Sequence, residues 1–201
     1  GHTPFGHAGE RVLNAVFAPG FRHYEQSVRV VEKLEQRRPG ARGLNLTWEV
    51  RDGIRWHSGG KALLYGSEAE GPHTLEGRVV SICDAIAYVS HDIDDALRAG
   101  LITLQDLPGE AVGVLGKTTS ARLNRMISGI IGASRDGAIA VQPDVRAAVV
   151  ELRDFLYRDL YPCPAIDREI RKAEGVLRAL YADLIERPTE EILHGAEADS
   201  V

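Results

Sequence analysis

The sequence predicts an all-α protein. Apolar residues recur at steps of three and four over long segments, and glycine and proline interrupt these segments at their ends. No stretch alternates apolar and polar residues over the length of a strand, and the nearest candidates, 111–116 (AVGVLG) and 137–142 (GAIAVQ), are short. With 201 residues, 44% of them apolar and 26% charged, the chain is long enough for a buried core in one or at most two domains.

Two helices are predicted in the first 40 residues. The first covers 7–17 and ends at the Pro-Gly pair 19–20. The second covers 23–38 and ends at the next Pro-Gly pair, 39–40. Each segment has apolar residues at helical spacing, so each is expected to pack one face against a core.

A third, shorter helix is predicted after Thr47, which is suited to be its N-cap. Trp48 and Trp56 lie eight residues apart on this helix, and we interpret them as packing residues. The following stretch, 61–72, is rich in Gly and Glu without periodicity and predicts a surface loop.

The longest predicted helix covers 75–99. Thr74 can cap its first turn, and Gly100 marks its end. The apolar residues of one face recur at steps of three and four, which indicates a face packed against a core. They are Leu75, Val79, Ile82, Ile86, Val89, Ile93 and Leu97.

Three more helices are predicted in the second half of the chain, over 120–133, 143–160 and 166–186. Pro143 suits the first turn of the second of these, because that position needs no backbone N–H. Residues 186–201 predict a short helix followed by a frayed acidic end.

The composition argues against several classes of function. The 29 acidic and 24 basic side chains give a net charge of -5, which does not suggest a protein that wraps nucleic acid over a broad surface. No apolar run approaches the roughly 20 residues that span a bilayer. Cys83 and Cys163 are the two cysteines, and their contexts do not indicate a disulfide. We therefore expect a reduced, cytoplasmic protein without a membrane anchor.

A polar stripe follows the apolar one on the longest helix. Asp84, Tyr88, Asp92 and Asp95 lie four, four and three residues apart, so they share one face. A solvated surface strip is one interpretation, since charged residues normally face water. Small neighbouring residues also allow a ligand close to Asp84 and Tyr88, where a carboxylate could bind a hard cation.

Histidines and a glutamate are concentrated at the start of the chain. His7 and Glu10 lie three apart in the first turns of a predicted helix, where Glu can bond the imidazole and fix its tautomer. A histidine so placed can donate or accept a proton near its usual pKa of about 6.5. Loop-to-helix junctions also use histidine as a polar cap, and spacing alone leaves both interpretations open for His2, His7 and His23.

The stretch 113–120 (GVLGKTTS) ends like a phosphate-binding loop. Ala111 stands where that motif requires its first glycine, and no βαβ context surrounds it, so we do not interpret it as a P-loop. Lys117 and Arg122 are instead expected near a helix N-terminus, within reach of a phosphate.

Four stretches of the sequence, taken together, carry a highly specific resemblance to a known family. They are, in chain order, GHTPFGHAGE, FRHYEQS, GLNLTWEVRDGIRWHSG and TLEGRVVSICDAIAYVSHDIDDALRAG. In this order they resemble the bacterial deoxyguanosinetriphosphate triphosphohydrolase-like branch of the HD-domain superfamily. The resemblance extends from Gly1 to about Ile102, and beyond it only the helical pattern agrees.

The resemblance implies an HD-domain helical bundle. Residues 1–102 would form the C-terminal part of the HD domain, and 103–201 a helical region packed on it. In that family the GHxPFGHxxE stretch follows closely after a metal-binding His-Asp pair. The chain is therefore expected to start just after this pair, without the N-terminal helices.

The implied activity is a metal-dependent hydrolysis of deoxynucleoside triphosphates, such as dGTP, to deoxynucleoside and triphosphate. Asp84 would be the fourth ligand of a Mg²⁺ or Mn²⁺ ion whose other ligands this sequence lacks. We therefore expect the chain alone to be inactive and to bind the catalytic metal poorly.

The resemblance also implies roles for six other residues. Tyr88 and Asp92 would contact the deoxyribose, and His2 would approach the phosphates. His7 would be the general acid on the 5′-oxygen leaving group, with Glu10 orienting it. His23 would lie close to the same triphosphate.

Two alternatives remain from the sequence. The chain could belong to an HD phosphohydrolase that acts on another nucleotide. It could also serve as a helical assembly module or bind single-stranded nucleic acid, since relatives form multimers and arginines are spread over the last helices. These are Arg146, Arg153, Arg158, Arg168, Arg171 and Arg178.

Overall fold

The computed structural model describes residues 1–38, 40–60, 64 and 71–190. Within these residues the chain is all-α, as predicted, and two isolated bridges, Gln36 with Gly43 and Arg135 with Ala138, are its β-type pairings. The main helices are α1 (Gly6–Val16), α2 (His23–Arg29), α3 (Trp48–Trp56), α4 (Leu75–Arg98), α5 (Gly109–Leu115), α6 (Thr119–Ala133), α7 (Pro143–Phe155) and α8 (Pro164–Glu186).

The chain divides into two compact units. The first consists of the segment up to Thr47 together with the part of the chain from Pro164 onward, and the second runs from Trp48 to Cys163. These limits differ from the boundary near residue 102 that the resemblance implies, and that boundary stays a prediction.

In the first unit α1 packs against α8. Val12 and Ala8 lie on the buried face of α1, and Leu177 is the buried residue of α8. Gly9 allows the chain to pass closely, because a Cβ at this position would lie 2.0 Å from the carbonyl oxygen of Pro4 and 3.0 Å from Leu177.

In the second unit α4 is the central helix, and α3, α6 and α7 pack against it. Four residues of the apolar stripe predicted from the sequence, Ile82, Ile86, Val89 and Ile93, are fully or almost fully buried. These four residues form the core-facing side of α4, whereas Leu75 and Val79 of the same stripe are 42% and 41% exposed. Met126 on α6 and Val145, Val149 and Leu152 on α7 supply other fully buried side chains of this unit.

Helix ends follow the predicted signals in part. Thr74 caps α4, since its side chain accepts a hydrogen bond from the N–H of Gly77, and Gly100 adopts φ 66° just after the helix. The predicted helix over 23–38 is shorter than expected: it continues from α2 as one π-helical turn, Val30–Leu34, and then becomes extended at Glu35. Likewise, α7 continues as the π-helical turn Leu156–Leu160.

One helix was missed, and two expectations about individual residues or segments were wrong. Residues 111–115, the first candidate for a strand, lie in α5, a helix that the sequence did not predict because it is only seven residues long. Trp48 does not pack in the core: it is 53% exposed, with its ring near that of His73. Leu64, inside the predicted surface loop, is helical and buried.

Other expectations fall outside the described residues. They concern the remainder of the predicted loop, at 61–63 and 65–70, and the end of the chain, at 191–201. Within the described part of the chain, no helix combines the length and the apolar character needed to cross a bilayer. Cys83 and Cys163 are free thiols.

Candidate functional site

A tight turn precedes α1 and positions the first two histidines. The N–H of Gly6 donates to the carbonyl oxygen of Thr3 at 3.1 Å, and the Thr3 hydroxyl donates to the carbonyl oxygen of Gly6 at 3.0 Å. Phe5, with φ 65°, adopts a left-handed conformation that is rare for a residue with a side chain. The turn thereby brings the rings of His2 and His7, which lie five residues apart in the sequence, to a centroid distance of 5.2 Å.

Glu10 binds His23 with both carboxylate oxygens. The backbone N–H of His23 donates to Oε1 at 2.9 Å, and the Nδ1 of the His23 ring lies 2.9 Å from Oε2. His23 is the first residue of α2, so its backbone N–H has no partner within that helix and is satisfied by Glu10 instead. This pairing fixes both the start of α2 and the orientation of a buried imidazole.

Three imidazoles form a cluster beside Glu10. The rings of His2 and His23 stack with a centroid distance of 4.0 Å. The ring of His7 stands edge-on to both, at 5.2 Å from His2 and 5.8 Å from His23. His23 is buried, whereas His2 and His7 are exposed, so the cluster opens to the surface through two of its members.

Burial and neighbouring groups in the cluster shift the pKa values of His2 and Glu10. Partial burial lowers the pKa of His2, and the neighbouring imidazoles of His23 and His7 lower it further. Partial burial alone would raise the pKa of Glu10, but the hydrogen bonds from the backbone and ring of His23 outweigh it and hold the pKa below its ordinary value. Glu10 is therefore an ionised carboxylate at neutral pH.

The cluster can both move protons and bind a cation. One ligand atom each from His7, Glu10 and His23 lies within 4.8 Å of the others, which is a spacing suited to a shared ion. We expected Glu10 to orient His7, three residues before it. The hydrogen bonds described above direct both carboxylate oxygens of Glu10 to His23, thirteen residues after it, and the role of Glu10 toward His7 stays a prediction.

The second group of predicted residues lies in the other unit, on α4. Asp92 is half-buried, and its Oδ2 accepts a hydrogen bond of 2.5 Å from the hydroxyl of Tyr161. A further side-chain hydrogen bond joins Tyr161 to Tyr88, one turn before Asp92. Burial raises the pKa of Tyr161, and its hydrogen bond to Asp92 raises it further, so the phenol stays protonated and donates.

The sequence analysis missed Tyr161. It follows the π-helical turn after α7, and its ring contacts that of Tyr157 edge-on at 5.0 Å. The guanidinium of Arg153 lies 4.5 Å from the Tyr157 ring. The available signal was the spacing of Arg153, Tyr157 and Tyr161 at steps of four, which places one cation and two aromatic rings along a single helix face.

Asp84 lies on an exposed part of α4, as does Asp95. The Asp84 carboxylate is a suitable donor for Mg²⁺ or Mn²⁺. Among the residues that the structure describes, however, no group of three metal-binding side chains includes Asp84. These residues therefore do not complete a metal site around Asp84, which supplies one donor.

Asp52 and His73 repeat the geometry of Glu10 and His23 in the second unit. The backbone N–H of His73 donates to Oδ2 of the buried Asp52 at 2.8 Å, and Nδ1 lies 2.9 Å from Oδ1. His73 directly precedes Thr74, the N-cap of α4. The pair anchors the entry into α4, and it explains a histidine to which the sequence analysis assigned no role.

Arg122 does not reach the surface. Its side chain is fully buried and donates to the carbonyl oxygen of Lys117 at 3.1 Å and to the hydroxyl of Thr119 at 3.2 Å. The expectation that Arg122 contacts an external phosphate was therefore wrong. Its guanidinium instead closes the first turn of α6.

Residues 139–198 match the model of a phosphohydrolase-associated domain. Three relatives share the name deoxyguanosinetriphosphate triphosphohydrolase-like protein. The relative from Caldanaerobacter subterraneus subsp. tengcongensis is 42% identical over 98% of this chain and 56% of its own length. That from Desulfatibacillum aliphaticivorans is 42% identical over 90% of the chain and 52% of its own length, and that from Clostridium perfringens strain SM101 is 39% identical over 88% and 51%.

Over most of its length the chain is similar to deoxyguanosinetriphosphate triphosphohydrolase-like proteins. It spans about half the length of the curated relatives it matches. The resemblance drawn from the N-terminal stretches is thus confirmed by similarity over most of the chain.

Proposed function

We propose that this chain is part of a metal-dependent hydrolase that cleaves deoxynucleoside triphosphates, dGTP among them, to the deoxynucleoside and triphosphate. The observation that carries the proposal is the cluster of His2, His7 and His23 around the ionised carboxylate of Glu10. Imidazoles that gain protons bind phosphate oxygens, and one of them can deliver a proton to a leaving group. The names of the relatives support this substrate class.

His7 is the proposed general acid. Cleavage at the α-phosphorus leaves an alkoxide at the 5′-oxygen, which needs a proton as it departs. His7 is exposed at the mouth of the cluster, where a substrate can reach it.

Glu10 and His23 are proposed to act as a positioned pair. With the ring of His23 held by Glu10, its protonated form would donate from Nε2–H to a phosphate oxygen. His2, stacked on His23, would take up a proton when a phosphate arrives, because an anion reverses the effects that lower its pKa.

Tyr88 and Asp92 are proposed to contact the deoxyribose. The ring of Tyr88 would pack against the sugar and exclude a 2′-hydroxyl, and Asp92 would accept a hydrogen bond from the 3′-hydroxyl. Tyr161 holds Asp92 in place through its own hydroxyl, so we propose it as a positioning residue for this contact.

A divalent metal, Mg²⁺ or Mn²⁺, is part of the proposal for the extended protein, where it would activate the attacking water. This chain would contribute Asp84. Because the described residues offer no complete ligand set around Asp84, we propose that the chain alone is inactive.

The proposed partners are the deoxynucleoside triphosphate and further copies of the same protein. The arginines that suggested nucleic-acid binding are partly neutralised: Arg158 pairs with Asp159, and Arg171 pairs with Asp167. Binding of single-stranded nucleic acid is therefore the weaker proposal.

The test is product analysis on a chain extended to the length of the relatives. It is incubated with each deoxynucleoside triphosphate and Mn²⁺ or Mg²⁺, and triphosphate, pyrophosphate and phosphate are quantified. We expect triphosphate, its loss in His7→Ala, and its retention in His91→Ala, which changes an exposed histidine on α4.

Three results would contradict the proposal. Pyrophosphate with a nucleoside monophosphate would indicate attack at another phosphorus atom. Triphosphate release by the present chain alone would refute its proposed inactivity. Salt-dependent binding of single-stranded DNA without any hydrolysis would favour the nucleic-acid module instead.

A further inference from the structure

We infer that His7, Glu10 and His23 form a binding site for a borderline transition-metal ion such as Zn²⁺, in which the ion lies between Glu10 and Nδ1 of His23 and the ring proton of His23 is carried on Nε2. The site differs in place and ligand chemistry from the carboxylate of Asp84. Metal binding here does not depend on the proposed hydrolase activity, so the two can fail separately.

The ligand atoms already lie near the spacing that such an ion requires. In a tetrahedral site with Zn–N and Zn–O bonds of about 2.0–2.2 Å, neighbouring ligand atoms lie about 3.4 Å apart. The Nδ1 of His23 and the Oε2 of Glu10 are 2.9 Å apart. One ligand atom each of His7, Glu10 and His23 lies within 4.8 Å of the others. Small side-chain rotations would therefore bring the three atoms around one ion.

The backbone holds two of the three ligands in advance. The N–H of His23 donates to Oε1 of Glu10, so this oxygen keeps the carboxylate in place while Oε2 binds the metal. Outer hydrogen bonds of this kind orient metal ligands and strengthen their binding. Since Glu10 and His7 lie three residues apart on α1, they face the same side of the helix.

Burial gives the site a closed side and an open side. The side chain of His23 is 7% exposed and that of Glu10 17%, so these two donors are shielded from water. His7 is exposed and leaves an entry path. An open coordination position would then remain for water, as in metal sites with three protein ligands.

The donor set selects the kind of ion. Two imidazoles and one carboxylate suit Zn²⁺ and Co²⁺, whereas Mg²⁺ prefers oxygen ligands in octahedral geometry. In the extended protein, an ion bound here would occupy the side chains proposed for proton transfer. Zn²⁺ is therefore expected to inhibit the proposed hydrolysis while Mg²⁺ or Mn²⁺ supports it.

The test is a titration of the present chain, without a polyhistidine tag, with Co²⁺ as a spectroscopic substitute for Zn²⁺. We expect one equivalent to bind with the intense visible absorption of a four-coordinate ion. Zn²⁺ should displace it, and excess Mg²⁺ should not.

Co²⁺ binding by variants tests which residues form the site. His7→Ala should weaken Co²⁺ binding by more than about tenfold, since loss of even an outer partner of a ligand has that effect. His7 is exposed, so this variant should keep the wild-type melting temperature, which is measured alongside. His91→Ala and Asp84→Asn are the controls and should bind as the wild type does.

Two outcomes would overturn the inference: no Co²⁺ binding by the wild-type chain, or equal weakening by His7→Ala and His91→Ala. A third, displacement of Co²⁺ by Mg²⁺ at comparable concentrations, would also contradict it, because it indicates an oxygen-ligand site. If Co²⁺ binds as expected but the extended protein hydrolyses no nucleotide, the metal site stands and the proposed function fails.

Discussion

At the scale of the residue, both the local structure and the proposed chemistry depend on Glu10. Its two oxygens satisfy both the backbone N–H and the ring of His23. A buried polar group without a partner costs about 1–3 kcal/mol, so loss of these bonds would affect both the start of α2 and the imidazole cluster. The same carboxylate links the local structure to the proposed chemistry.

Glu10 should make the chain sensitive to acid. Its pKa in the folded state lies below its ordinary value, so its contribution to the free energy of unfolding is complete above about pH 4.3 and is lost as the pH falls through the lower, folded-state pKa. Glu10→Gln should therefore be less stable than the wild type at pH 7, and the difference should shrink on acidification. Urea unfolding between pH 7 and pH 3 measures it, and a constant difference over this range would contradict the assignment.

Tyr161 should affect substrate affinity more than turnover. Tyr161→Phe removes the hydroxyl that donates to Asp92 but keeps the ring against Tyr157. If Asp92 binds the sugar, we expect KM of the extended protein to rise by about fivefold to tenfold with little change in kcat, since a hydrogen bond to a charged group contributes about 1.5–3 kcal/mol at most. A fall in kcat at unchanged KM would indicate a different role.

The sequence allowed the residues of the site to be selected but not all of their partners. His2, His7 and Glu10 are close in sequence, so their proximity could be anticipated. The hydrogen bond between Tyr161 and Asp92 spans 69 positions, and no local pattern encodes such a contact. Glu10 was assigned to His7 because helical spacing favours that pair, whereas its bonds to His23 arise from how the chain returns after Gly20.

At the scale of the element, the close packing of the backbone against α1 determines which substitutions this helix tolerates. Gly9 lies inside this helix, where alanine is normally preferred by about 1 kcal/mol. A Cβ at this position would meet the carbonyl oxygen of Pro4 at 2.0 Å, and that atom belongs to the backbone of the turn before α1. Steric conflict should therefore outweigh helix propensity here.

Gly9→Ala should destabilise the chain by about 1–3 kcal/mol, the usual cost of overpacking. Gly175→Ala on α8 is the matched control, because nothing lies within 4 Å of its added Cβ. This control should stabilise the chain by about 0.4–1 kcal/mol. Thermal and urea unfolding of the two variants measure the difference, and equal effects would contradict the close packing at Gly9.

A buried cation stabilises the start of α6. Arg122→Ala should cost about 2–4 kcal/mol, because it removes a fully buried side chain and leaves the carbonyl oxygen of Lys117 without this donor. Arg125→Ala on the same helix breaks an ion pair with Asp144 that is partly exposed, and should cost about 1 kcal/mol or less. Urea unfolding compares them, and similar losses would show that burial of Arg122 is not decisive.

Helices were predicted well where periodicity extends over several turns. For α4, α6 and α8 the predicted ends lie within two residues of those observed. By contrast, α5 has seven residues and offers too few turns for a periodic pattern. Exposure was harder to anticipate: Trp48 was expected to pack because of its size, yet it lies at the first position of α3 with its ring largely in solvent.

At the scale of the whole molecule, the described part of the chain is helical, and the chain spans about half the length of the curated relatives to which it is similar. The predicted fold class is confirmed. The residues proposed to transfer a proton lie in one compact unit, and those proposed to bind sugar and metal lie in the other.

The most direct test of this account concerns the proton that His7 is proposed to deliver. Triphosphate release by the extended protein is measured with dGTP and with p-nitrophenyl triphosphate, whose leaving group departs without a proton. We expect His7→Ala to lower kcat on dGTP by about 10²–10⁴-fold, the usual contribution of a general acid, and to change release from the nitrophenyl compound little. Equal losses on both compounds, or no loss on dGTP, would contradict the general-acid role of His7.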